Sequence, residues 1–192
     1  MPLSSLLLKF LAKKTFKKHS KESRSAIENQ KKIFKHIVSA GHQSNFAQDF
    51  GITKRLTYSD FVRRVPLMAY EDFKKYINLI SLGGENVLTK GAPSYFAITS
   101  GTTSGTKYIP LTKEMMNMQT KATKELLLLY AYQKGYYNIA GAGMMFIQGT
   151  PKLNYFNKIP YGKLSGIAAH HVPFYLKKNR FPSMKTNSIT PW

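Results

Sequence analysis

The chain has 192 residues, 43% of them hydrophobic, which is enough for a buried core and too apolar for a disordered segment. Its 29 Lys and Arg against 9 Asp and Glu give a formal charge of +20, but arginine stands only at positions 24, 55, 63, 64 and 180 and no basic-aromatic signature of an RNA-binding sheet is present, so specific nucleic-acid recognition is set aside. Cysteine is absent, which excludes disulfides, thiolate metal sites and cysteine nucleophiles and fits a cytoplasmic protein.

The first apolar run, Leu6 to Ala12, is too short and too charged to span a bilayer, which takes about 20 apolar residues, and no small-residue cleavage site follows it. Leu3, Leu7, Phe10 and Leu11 share one helical stripe, with Lys9, Lys13, Lys14, Lys17 and Lys18 around the other side. This predicts a first helix packed on the body of the domain and leaves room for peripheral membrane contact. Ser25-Ala-Ile-Glu28 reads as a capping box for a helix over 26–40, with Gly41 as its stop. Two short helices follow, Asp60 to Arg64 and Tyr70 to Ile80, separated at Val65-Pro66 because the residue before proline is pushed out of helical geometry.

Tyr95 to Thr99 and Tyr108 to Leu111 read as strands, and Thr112 is placed to cap a long helix over 113–134 that Gly135 ends. Gly141-Ala-Gly143 reads as a turn feeding a strand at Met144 to Gln148, and Ile167 to Val172 as a further strand. Helices alternating with strands in this way predict an α/β fold.

The segment between the strands at 95 and 108 is the chemically informative one. Gly101 and Gly105 can take positive φ and let a polyphosphate approach the backbone; Ser100, Thr102, Thr103, Ser104 and Thr106 offer hydroxyls; Lys107 supplies charge. A Walker loop would end in Gly-Lys-Ser/Thr and open into a helix, whereas Lys107 is followed by Tyr-Ile-Pro, a strand and a stop. The segment therefore reads as a strand-loop-strand phosphate loop for a nucleotide.

Thr99-Ser-Gly-Thr-Thr-Ser-Gly-Thr-Lys107 resembles the first signature of the adenylate-forming superfamily, Ser/Thr-Ser-Gly-Thr-Thr-Gly-x-Pro-Lys. Ser104 replaces its glycine and Thr106 its proline. Those departures resemble the branch that contains the auxin-responsive Gretchen-Hagen family of acyl acid-amido synthetases, although that branch's loop is one residue longer. Phe61-Val-Arg-Arg-Val-Pro66, Tyr70-Glu-Asp-Phe-Lys-Lys-Tyr-Ile77, Gly84-Glu-Asn-Val-Leu88 and Gly162-Lys-Leu-Ser-Gly-Ile167 resemble the same family, in order and spacing, most closely its bacterial-type members.

The resemblance implies an incomplete N-terminal domain of an adenylate-forming fold, with helices packed on a mixed β-sheet. Residues 1–192 would be a partial adenylation domain, 1–80 mainly helical and 92–192 carrying strands, phosphate loop and helix, with the C-terminal domain absent. It implies ATP and Mg2+, a small carboxylic acid and an amino acid. The acid attacks the α-phosphate, pyrophosphate leaves, and an amine captures the acyl group. The family's later signatures and its catalytic lysine would fall beyond Trp192, so no catalytic residue is named and the chain alone is expected to be inactive. A membrane-associated acyl-adenylating relative and a non-catalytic truncated product are the alternatives. His170-His171 would point to opposite faces of a strand and no carboxylate is near in sequence, so no metal site is assigned.

Overall fold

The computed structural model describes residues 3–99, 105–139 and 141–189. They form two compact units interleaved along the chain, one built from residues 1–24, 113–153 and 162–192, the other from residues 25–112 and 154–161.

In the first unit, helices α1 (Leu3–Arg24) and α6 (Lys113–Lys134) run antiparallel. Small residues let them approach closely: Ser5, Ala12 and Ala131 are buried where the two meet. Phe16 stacks on Tyr132 with centroids 4.5 Å apart, and the Ser5 hydroxyl donates to Asn138 Oδ1. Glu125 accepts from Lys18 Nζ at 2.8 Å and lies 3.1 Å from His19 Nε2. Those bonds hold the Glu125 carboxyl below its ordinary range, Lys18 first among them. The face that α1 presents to α6 is thus not its leucine stripe. Leu7 and Phe10 remain 59% and 65% exposed, and Leu6 beside them is exposed too.

The second unit holds α2 (Ala26–Gly41), α3 (Asn45–Asp49), α4 (Tyr58–Arg64) and α5 (Tyr70–Ser81). Its sheet has the order β2-β1-β5-β4, from the hairpin of β1 (Tyr95–Thr99) and β2 (Lys107–Leu111) and the hairpin of β4 (Asn154–Phe156) and β5 (Ile159–Lys163), both antiparallel. One core gathers Tyr76, Ile77 and Ile80 of α5 with Val87, Phe96 and Ile159. A second joins Val38, Ala47, Ile52 and Leu56, and Phe46 packs against both. The break at Val65 occurs as expected, with φ −100° and ψ 110°, and α4 starts on Thr57, whose hydroxyl accepts from Asp60 N.

The remaining elements belong to the first unit: β3 (Met144–Met145) paired in parallel with β6 (Arg180–Phe181), and α7 (Leu164–His170), α8 (Phe174–Lys177) and α9 (Met184–Asn187). The architecture is a mixed α/β one, helices with sheet, as the sequence implies.

Three expectations are corrected. Ile167 to Val172 is no strand: the segment lies in α7 and the turn after it, because Gly166 packs so close to the Thr150 carbonyl that no side chain would fit, and Ala168-Ala169 favours helix. His170 and His171 therefore close a helix and do not alternate across a strand; His170 Nε2 lies 2.8 Å from Pro151 O. The strand at Met144 shrinks to two residues, since β6, its only ladder partner among the described residues, is itself two residues long. The Ser25 capping box does not form either. Because α1 runs to Arg24, Ser25 sits at φ −115°, ψ 28°, away from the extended geometry of a cap, and Gly41 is the last residue of α2, without positive φ.

Candidate phosphate-binding site

The hairpin of β1 and β2 is in register from Tyr95↔Leu111 to Thr99↔Lys107, so the predicted loop begins and ends on directly paired residues. Ser100, Gly101, Thr102, Thr103 and Ser104 lie outside the described residues. Gly105, Thr106 and Lys107 are described. Gly105 takes φ +79°, the left-handed region that favours glycine, and a Cβ there would meet nothing within 4 Å. Thr106 is exposed and Lys107 half-buried.

The base of the hairpin is packed into a core. Phe96 is fully buried and makes edge contacts with Tyr108 and Phe156, at 6.3 and 6.2 Å between centroids. Residues on α5 pack against this cluster from below. A loop anchored on such a cluster keeps its two ends fixed, which is what a binding loop needs.

Lys107 is held by a contact that the sequence reading missed. Its Nζ lies 5.5 Å from the ring centroid of Tyr70, the first residue of α5. The Tyr70 hydroxyl also accepts from Tyr108 N at 2.8 Å. Strand β2 is the sheet edge, so the outward N–H of Tyr108 has no strand partner, and the tyrosine satisfies it. No local rule links positions 70 and 108; only the Tyr70-Glu-Asp-Phe start of α5 hinted at importance.

The acids beside Tyr70 are engaged elsewhere: Glu71 pairs with Lys74, and Asp72 accepts from Ala69 N. Lys107 makes no ion pair among the described residues. A lysine stacked on a ring, uncommitted to any carboxylate there and standing beside an open glycine, has its charge available for an anion. That arrangement suits an anionic group.

Elsewhere, burial pushes the His171 imidazole below its ordinary range, with His170 adding to the effect. Among the described residues no group of three His, Cys, Asp or Glu side chains converges as a metal site would require.

Comparison with known proteins gives a family. The model of the GH3 family N-terminal domain matches residues 15–191. By sequence, no curated protein matches the chain. Among solved structures it is similar to a GH3.15 acyl acid amido synthetase, with 22% identity and TM-score 0.61, over 74% of this chain and 26% of the other. It is also similar to AtGH3.15 acyl acid amido synthetase in complex with 2,4-DB, with 18% identity and TM-score 0.66, over 82% and 28%. At these identities the likeness is one of fold, and the chain spans little more than a quarter of those structures.

Proposed function

Because the chain belongs to the GH3 family as a part of its N-terminal domain, we propose that it supplies the phosphate-holding loop of an enzyme that activates a small carboxylic acid with ATP and passes the acyl group to an amino acid. The observation that carries this reading is Lys107. It stands at the foot of a glycine-bearing hairpin loop, over Tyr70, without an ion-pair partner among the described residues.

In this reading the hydroxyls of Ser100, Thr102, Thr103, Ser104 and Thr106, with the backbone at Gly101 and Gly105, bind the β- and γ-phosphates of ATP. Lys107 stabilises the charge that grows on the departing pyrophosphate, a preorganised electrostatic role. Magnesium, when bound, offsets further phosphate charge. The acid, the amine and the remaining catalytic groups belong to the longer protein that the solved relatives exemplify; AtGH3.15 is seen with 2,4-DB. In this reading the protein works in the cytoplasm.

The test is pyrophosphate exchange by a family-length protein carrying this domain, with a panel of carboxylic acids. Lys107→Ala is expected to slow adenylation about tenfold or more and to spare amine capture, since a charge-assisted contact contributes roughly 1.5–3 kcal/mol. Equal losses in both half-reactions would show a folding defect, and no loss would remove the loop from the mechanism.

A second reading rests on α1. No helix among the described residues is long and apolar enough to cross a membrane. Leu6, Leu7 and Phe10 are nonetheless exposed on a helix with six lysines, Arg24 and one acid, Glu22, a composition suited to the surface of an anionic bilayer. Cosedimentation with phosphatidylserine vesicles but not phosphatidylcholine ones, abolished by Phe10→Glu, is the expected result; equal recovery with both vesicle types would end this reading.

A further inference from the structure

Arg180, in β6, is the most thoroughly buried cation among the described residues. It is 4% exposed, and its Nε and Nη2 have no hydrogen-bond partner among them. Those two N–H groups form one edge of the guanidinium and point the same way. It is the edge with which arginine receives a carboxylate side-on, one oxygen on each donor.

A further donor lies on the adjoining segment. Met144 pairs with Arg180, Phe146 N donates to Phe181 O at 2.8 Å, and Asn187 Nδ2 donates to Gly149 O at 3.3 Å, so residues 144–149 run beside 180–187. Within that segment Gln148 Nε2 is also buried and unpartnered. The Arg180 guanidinium sits 5.9 Å from the ring centroid of Phe146, which helps fix the plane of the fork. The region thus presents buried donors and no anionic acceptor.

The chain offers little that could neutralise the charge from within. Its last acidic residue is Glu125, so none of the 67 residues that follow, which supply β3, β6 and α7, bears a side-chain carboxylate. The unit has three acids in all: Glu125 is held by Lys18 and His19, Glu22 lies 3.8 Å from Lys18, and Glu114 stands in the first turn of α6, and none of them is an ion-pair partner of Arg180 among the described residues. Desolvation alone acts on Arg180 and lowers its proton affinity, with no opposing charge to raise it. Arginine still keeps its proton, so the remedy is a counter-charge.

We infer that Arg180, supported by Phe146 and Gln148, is a receptor for a small carboxylate from solution, bound side-on through Nε and Nη2. The inference is independent of the hairpin loop and of the reaction proposed for it. Entry requires only local opening, because β3 and β6 are two residues each and few ladder bonds guard the guanidinium.

The experiment is thermal unfolding of the chain titrated with sodium acetate or propionate, ionic strength held constant with chloride. The wild-type midpoint should rise with the logarithm of carboxylate concentration once that exceeds the dissociation constant. Arg180→Met should melt at the same temperature or higher without carboxylate, because an apolar replacement removes an uncompensated buried charge, and should show no carboxylate response. Arg180→Lys keeps charge but lacks the fork, and should bind at least about tenfold more weakly. Should the methionine variant not fold, the nitrogen-15 resonance of Arg180 Nε in the wild type decides: it should move saturably with carboxylate and stay put with chloride. An unmoved signal, no carboxylate-dependent rise in the wild-type midpoint, an equal rise in Arg180→Met, or a response to phosphate and not to carboxylates would each overturn the assignment.

Discussion

Lys107 and Arg180 are both cations laid over an aromatic ring and both lack an ion pair among the described residues, yet they stand in opposite surroundings. Lys107 is half-buried, beside an exposed Gly105 and Thr106, so water can reach it and compensate its charge. Arg180 is buried where water does not reach its Nε and Nη2. The pair shows that an uncommitted cation at the surface can receive an anion directly, whereas a buried one needs local opening first and meanwhile weakens the fold that holds it.

The supports of the two cations can be broken separately. Phe96→Ala, at the root of the hairpin, should cost about 3–5 kcal/mol by opening a cavity among Tyr108, Phe156 and α5, read as a lower denaturant midpoint with unchanged slope. A loss below about 1 kcal/mol would mean that the hairpin does not depend on this core. Gly166→Ala, in the unit that carries Arg180, would drive a methyl into the Thr150 carbonyl and should cost about 1–3 kcal/mol. A neutral result would show that α7 is not seated on Thr150 as described.

Smaller changes sharpen the contrast. Tyr70→Phe keeps the ring beside Lys107 but leaves the Tyr108 N–H without its acceptor, for an expected loss of about 1 kcal/mol. Hydrogen exchange at the Tyr108 amide should accelerate, and unchanged exchange would remove Tyr70 from the support of β2. The Lys18–Glu125 pair provides a fully compensated cation for comparison. The folded pKa of Glu125 is depressed, so its contribution is present above the ordinary value of 4.5 and fades as pH falls through the folded value. That of Lys18 is raised, so its share is present below 10.5 and is lost as pH rises through the folded value. Both sides are partly exposed, so screening limits the pair to less than about 1 kcal/mol. A Glu125→Gln variant should match the wild type in acid and fall slightly below it near neutrality; parallel stability curves at all pH values would deny the pairing.

Local chemistry made the sequence legible where it acts alone. The residue before Pro66 ends α4, Gly135 at φ +72° follows α6, and Tyr95 to Thr99, rich in β-formers, is a strand. Legibility failed where a distant neighbour decides. Ser25 looked like a cap until α1 ran into it, Ile167 to Val172 was too short an apolar run to tell helix from strand, and α3 has only five residues. The loop chemistry proposed here comes from its hydroxyls, glycines and lysine alone, and of those residues the structure describes Gly105, Thr106 and Lys107. The Tyr70 support was not, because it joins residues 38 apart, and Arg180 announced nothing until its burial was known.

The central claim, that the hairpin loop holds phosphate, is tested most directly by calorimetric titration of the chain with pyrophosphate and with ATP, wild type against Lys107→Ala at constant ionic strength. The account predicts weak, saturable binding of both ligands, reduced about tenfold or more in the variant while its melting temperature is unchanged. Binding of equal strength in the two proteins would contradict it.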